Sequence, residues 1–182
     1  MKKERVELLI IDPQNDFCDP HGALFVAGAD KDSERLAKMI GRLRDRIDDI
    51  HVTLDSHHLV DVAHPIFLVD QNGNHPAPFT MILESDVSSG KWRTTNPEFM
   101  KRFTDYLNQL TKNGRYPLCV WPPHCLIGSW GHNVVPVVYE QLLSWEANFA
   151  MVDYVIIGSN IWTEHYSAVQ AEVPDASDPG TM

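Results

Sequence analysis

Residues 6–11 (VELLII) are a nearly unbroken apolar run that ends at Asp12-Pro13, the pattern of a short strand buried on both faces. Leu36, Met39, Ile40, Leu43 and Ile47 then recur at helical spacing. This predicts an amphipathic helix over 30–47 with Asp30 or Asp32 available as its N-cap. Residues 50–54 (IHVTL) read as a second strand that ends at Asp55. Strand, helix and strand in that order argue for parallel pairing, because parallel neighbours need a crossover connection.

Residues 66–95 have no clear period and are punctuated by Gly73, Pro76, Pro78 and Gly90, so they read as an excursion from the core that includes a small extra strand over 79–83. Asn96-Pro97 opens a helix in which Phe99, Met100, Phe103, Tyr106, Leu107 and Leu110 share a face, and Gly114 is its stop. Residues 118–121 form a brief apolar strand leading into Pro122-Pro123-His124. A helix over 134–149 accommodates Pro136 in its first turn, and 152–157 closes the series as a strand. The last nine residues, PDASDPGTM, are turn-rich and without period.

At 182 residues and 20.7 kDa the chain fits one domain, and 43% apolar with 22% charged residues is a globular composition. Fifteen Lys and Arg against 25 Asp and Glu give a net charge of −10, which repels phosphate backbones and argues against nucleic acid. No apolar run approaches the roughly 20 residues that span a bilayer, so the chain reads as soluble and cytoplasmic with no membrane partner. Three cysteines, an odd number, agree with free thiols in a reducing compartment.

Nine histidines carry meaning only if they converge. In an open α/β sheet the ligand site lies beyond the carboxyl ends of the strands. Asp12, the pair Asp55 and His57, His124, and residues 158–160 each follow a predicted strand. Asp55, His57 and His124 offer one carboxylate and two imidazoles, a donor set that suits Zn, Fe or Mn. His64 is a candidate fourth ligand, whereas His58 is expected to face solvent. Asp12 is either a base raised in pKa by partial desolvation or an acceptor for the amides of the following turn. Phe17 and Trp121 are either an aromatic pocket wall or core. Cys18 and Cys125 lie close to these groups in sequence, but neither has an evident cation to lower its pKa, and Cys119 reads as core.

The segments LLIIDPQNDFCDPHGALFVAGAD, VTLDSHH with HPIF, WPPHCLIGSWG and IGSNIWTEHYSA resemble, in order, four motifs of the nicotinamidases among the isochorismatase-like cysteine hydrolases. The resemblance covers nearly the whole chain. It implies a three-layer, Rossmann-like α/β fold with a mainly parallel sheet, in one domain over 1–182 whose C-terminal strands are missing. The stretch 66–115 is then an insertion similar to that of the larger nicotinamidase-like members. By the same resemblance Asp12 matches the catalytic aspartate that takes the proton of a nucleophilic cysteine. Asp55, His57 and His124 match the ligands of a divalent metal, zinc foremost with iron and manganese as alternatives. Phe17 and Trp121 match the aromatic pair around the nicotinamide ring. The implied reaction is hydrolysis of nicotinamide to nicotinic acid and ammonia through a thioester.

Two departures stand against these matches. The family's lysine falls at Ile157, and the family's nucleophilic cysteine lies downstream of anything matching TEHYSA. Cys18 and Cys125 match positions that are not catalytic in the family. The expectation is therefore a nicotinamidase-like amidohydrolase that is inactive or weak as this chain. The alternative is a metal-binding or ligand-binding half-domain completed by a partner, and a metal-water hydrolase without cysteine ranks last. With the family's next strand absent, residues 6–11 would form a bare sheet edge, which predicts a homo-oligomer or a partner covering it.

Overall fold

The computed structural model describes residues 4–114 and 116–182. In chain order the elements are β1 (Glu7–Ile10), α1 (Asn15–Cys18), α2 (Ala29–Leu43), β2 (Asp49–Asp55), β3 (Leu68–Val69), β4 (Met81–Ile82), α3 (Glu84–Ser88), β5 (Arg93–Thr94), α4 (Met100–Lys112), β6 (Leu118–Cys119), α5 (Pro136–Glu146) and β7 (Asp153–Ile157). The central sheet is parallel with strand order β1-β2-β7, as the strand-helix-strand pattern requires. The protein is thus an α/β fold built on a parallel sheet.

Side-chain alternation along each strand sets what the sheet buries. Ile10, Ile50 and Val52 pack with Ile40 of α2 and with Val138, Leu142 and Trp145 of α5 in one core. The amphipathic α2 and the more uniformly apolar α5 thereby cover one sheet face. On the alternate positions Leu9 and Val155 remain 57% and 38% exposed. Among the described residues β1 pairs with β2 alone, so the run expected to be buried on both faces lies at a sheet edge and keeps one face exposed.

Three local expectations change. The N-cap of α2 is Gly28 in a left-handed conformation, and Asp30 and Asp32 lie inside the first turn. There they favour the helix through its dipole rather than by capping. The strand expected over 118–121 shortens to β6 and pairs antiparallel with β4 outside the central sheet. Pro117, Pro122 and Pro123 flank it, and proline removes the ladder donors that a central strand needs. The terminal segment, which has no sequence period, is nonetheless anchored: Arg102 of α4 reaches Asp175 at 2.6 Å, and Asp175 N donates to Thr181 Oγ1 at 2.8 Å.

A second core lies beyond the ends of the central strands, where Phe103, Tyr106, Leu107 and Leu110 of α4 pack with Phe67, Leu68, Ile82, Leu118 and Val173. This is the apolar face read from the sequence of that helix. Among the described residues no helix is long and apolar enough to cross a membrane.

Leu142 is completely buried in the first core while its neighbour Leu143 is exposed. Leu142→Ala is expected to lower unfolding stability by about 2–5 kcal/mol in urea titrations, and Leu143→Ala to stay within about 0.5 kcal/mol of the parent.

Candidate metal centre

Asp55 is the last residue of β2, and its backbone is gripped by a side chain from the loop after β1. Gln14, fully buried, accepts from Asp55 N at 2.8 Å and donates to Asp55 O at 2.7 Å. The same amide nitrogen donates to His132 O at 2.9 Å. His57 is joined to the segment after β6 by its N–H donating to Cys125 O at 3.0 Å and by Ile127 N donating to His57 O at 3.1 Å. Asp16 accepts from Cys125 N at 2.6 Å. These bonds bring His124 to the end of β2 although β6 is not in the central sheet.

His57 Nε2 lies 3.1 Å from both carboxylate oxygens of Asp55, and His124 Nε2 lies 3.3 Å from Oδ2. One ligand atom from each of the three residues falls within 4.8 Å of the others, and all three residues are buried. His64 is also fully buried, with its ring 5.2 Å from that of His57 and 5.7 Å from that of His124. His58 is exposed, as expected.

The three buried imidazoles share one orientation. Nδ1 of His57 faces Asp61 Oδ2 at 3.1 Å, Nδ1 of His124 faces Pro122 O at 2.9 Å, and Nδ1 of His64 faces the carbonyls of His58 and Leu59 at 3.1 and 3.2 Å. Each neutral ring so held keeps its proton on Nδ1 and leaves Nε2 as a lone-pair donor, which is the arrangement of metal-ligating histidines. His64 Nε2 and Asp55 Oδ1 are buried without a hydrogen-bond partner. Orphaned acceptors in a dry site are costly unless a cation or donor satisfies them, so the residues present fit a divalent metal.

The same groups also pair with one another. Burial opposes charge on Asp55, but hydrogen bonds from His124 and His57 outweigh it and hold the carboxyl below the usual carboxylate range. Burial likewise opposes the His57 imidazolium, yet hydrogen bonds to Asp55 and Asp61 push it up to about 11. Burial lowers His64, which favours its neutral form. Glu164, from the segment after β7, is buried, and burial followed by the charge of Asp61 raises its carboxyl.

Asp12 has a left-handed backbone, φ 48°. It is tied to β2 by its N–H donating to Thr53 Oγ1 at 3.0 Å, and that hydroxyl donates back to Asp12 Oδ1 at 2.6 Å. Burial raises its carboxyl, a shift in the direction a general base requires. Phe17 stands edge-on to His124 with ring centroids 5.5 Å apart, whereas Trp121 meets Phe79 and Tyr166 at 5.9 and 6.2 Å. The thiols of Cys18, Cys119 and Cys125 are all raised by burial, Cys125 furthest. None has the lowered pKa of an activated nucleophile. Ile157 is buried in register with Asp55, so an apolar side chain stands where the resemblance would put a lysine.

Sequence reasoning missed Gln14 and Asp61, and it placed Gly158 at a strand end without its steric role. Gln14 and Asp61 are ordinary polar letters beside named motifs, and only their buried hydrogen bonds to Asp55 and His57 single them out. Gly158 has φ 76°, and a Cβ there would lie 2.6 Å from Asp55 Oδ1. A glycine directly after an apolar strand was the available signal.

The fold is that of nicotinamidase and pyrazinamidase structures. The yeast nicotinamidase bound to the inhibitor nicotinaldehyde superposes with a TM-score of 0.62 at 20% identity, covering 92% of this chain and 63% of the yeast chain. A nicotinamidase and pyrazinamidase from Acinetobacter baumanii gives 0.56 at 19% identity over 94% of this chain and 60% of its own. The pyrazinamidase of Pyrococcus horikoshii in complex with zinc gives 0.50 at 17% identity over 91% and 59%. The chain therefore spans about 63% of the length of the yeast structure. No family model matches the sequence, and no curated protein matches it.

Gly158→Ala is expected to abolish metal retention measured by elemental analysis, because the new methyl would crowd the Asp55 carboxylate at 2.6 Å and displace it. Asp61→Asn removes the charge behind His57 and is expected to weaken metal affinity about 10- to 100-fold in chelator competition. In the metal-free protein the raised His57 contributes stability that is fully present below about pH 6.5 and is lost as pH climbs towards about 11. Its melting temperature should fall over that alkaline range, and His57→Gln should flatten the decline.

Proposed function

We propose that this chain forms the metal-and-base part of a nicotinamidase-like amidohydrolase site and binds a small planar amide such as nicotinamide. The observation that carries this reading is the meeting of Asp12, Asp55, His57 and His124 at the carboxyl edge of a parallel sheet with a nicotinamidase fold. Asp55, His57 and His124 hold the ion, with His64 as the fourth ligand, and zinc is the first choice for one carboxylate among imidazoles. A divalent ion held by these residues would supply Lewis acidity towards the substrate. Asp12 serves as the proton acceptor, and Phe17 and Trp121 flank the ring.

Turnover by this chain alone is weak or absent. Its three cysteines are all raised by burial, and the buried Ile157 provides no cation beside Asp55. Without an activated thiol the thioester route has no first step. The reading includes a cytoplasmic setting and no nucleic-acid partner, in keeping with the net charge of −10.

A second reading, a half-domain completed by another polypeptide, is supported by the bare edge of β1, where Leu9 and Ile11 stay 57% and 58% exposed. A second copy or a separate partner then covers that edge, and 66–115 stands as an insertion in the domain.

Metal analysis after dialysis is expected to find one ion per chain in the wild type and close to none in His57→Ala or His124→Ala. Ammonia release from nicotinamide is expected to match that of Asp12→Ala, and release well above that variant would overturn the weak-turnover reading. Sedimentation at micromolar concentration should detect self-association. A monodisperse monomer that binds no hydrophobic dye would remove the half-domain reading.

A further inference from the structure

Side chains alternate across β2, so Leu54 faces away from the Asp55 side of the strand. On the Leu54 side lies a cavity of about 590 Å³, with Leu54, Trp130, His132, Tyr139 and Tyr154 in its walls. The volume is that of a small-molecule site. None of its lining residues is Asp, Glu, Lys or Arg, and none belongs to the metal triad.

The walls are preformed. The loop that carries Trp130 and His132 is fastened at three points, by Asn15 N donating to Asn133 O at 2.9 Å, Val135 N donating to Pro13 O at 2.8 Å, and Gln14 Nε2 donating to His132 O at 2.9 Å. The fourth aromatic side, Tyr154, is on β7 and Tyr139 is on α5. A site whose frame is already held loses little conformational entropy on binding.

The hydrogen bonds also fix the chemistry of the imidazole in the wall. The Ser56 hydroxyl donates its proton to Leu54 O at 2.8 Å. Its lone pair therefore accepts from His132 Nε2 at 2.8 Å. With the proton held on Nε2, the neutral ring keeps Nδ1 as an acceptor.

We propose that this cavity is a second ligand site, separate from the metal centre, for a neutral planar aromatic molecule bearing one N–H donor. The aromatic walls supply stacking faces, the absence of charged side chains disfavours an ionised ligand, whose desolvation nothing would offset, and His132 Nδ1 receives the donor. The proposal does not depend on the metal reading, since it needs neither an ion nor turnover.

Ligand-observed NMR titration of the full chain with indole tests it. Saturable binding is expected in the high-micromolar to low-millimolar range that suits so small a ligand. 1-Methylindole, which lacks the donor, should bind about tenfold more weakly, the loss of one hydrogen bond. Val134→Trp fills the cavity and should abolish the titration, and Tyr154→Ala, at a partly exposed position, should weaken it at least several-fold with the circular dichroism spectrum unchanged. Binding of indole that is not saturable, equal affinity for 1-methylindole, or full affinity in both folded variants would overturn the proposal. Metal retention in the same samples is read separately and bears only on the metal centre.

Discussion

The arrangement of this protein depends on a single side-chain amide that pairs with the backbone of another strand. Gln14 satisfies both the N–H and the C=O of Asp55 and still reaches the carbonyl of His132. In effect it continues the β1–β2 ladder past the point where β1 ends and allows Asp12 to turn into a left-handed conformation. The Asp55 carboxylate, the turn at Asp12 and the loop that walls the second cavity are all set by this pairing. A buried amide is suited to the task, because its donor and acceptor mirror those of a peptide group and leave no unpaired atom in the grip.

The triad also explains how a strongly acidic chain can bury so many polar groups. Asp55, Asp61 and Glu164 are buried near His57, His64 and His124, and each carboxylate would be costly alone. Every imidazole is turned so that Nδ1 meets an oxygen of the protein. This leaves the Nε2 atoms and Asp55 Oδ1 directed at a shared interior. The low dielectric that penalises the orphaned His64 Nε2 and Asp55 Oδ1 would also strengthen their hold on a cation.

Much of this was readable from the letters. The parallel sheet followed from VELLII, the helical spacing after Gly28 and IHVTL. The apolar face of α4 followed from its period of buried positions, and the triad from strand ends and their polar successors. The route of residues 118–124 was not readable, since two short strands with prolines around them carry no signal of which partner they choose. Nor were Gln14, Asp61 and the steric role of Gly158, because their importance lies in distance and burial, which no local pattern encodes.

The placement of β1 has a consequence for how the chain reaches its native state. Its composition is that of an interior strand, yet its free edge offers a ladder of unpaired amides next to Leu9 and Ile11. A growing or refolding chain presents this segment before anything covers it, so productive folding competes with intermolecular strand pairing. That competition depends on concentration, and the yield of native protein is therefore governed as much by kinetic partitioning in dilute or crowded surroundings as by the stability of the folded domain.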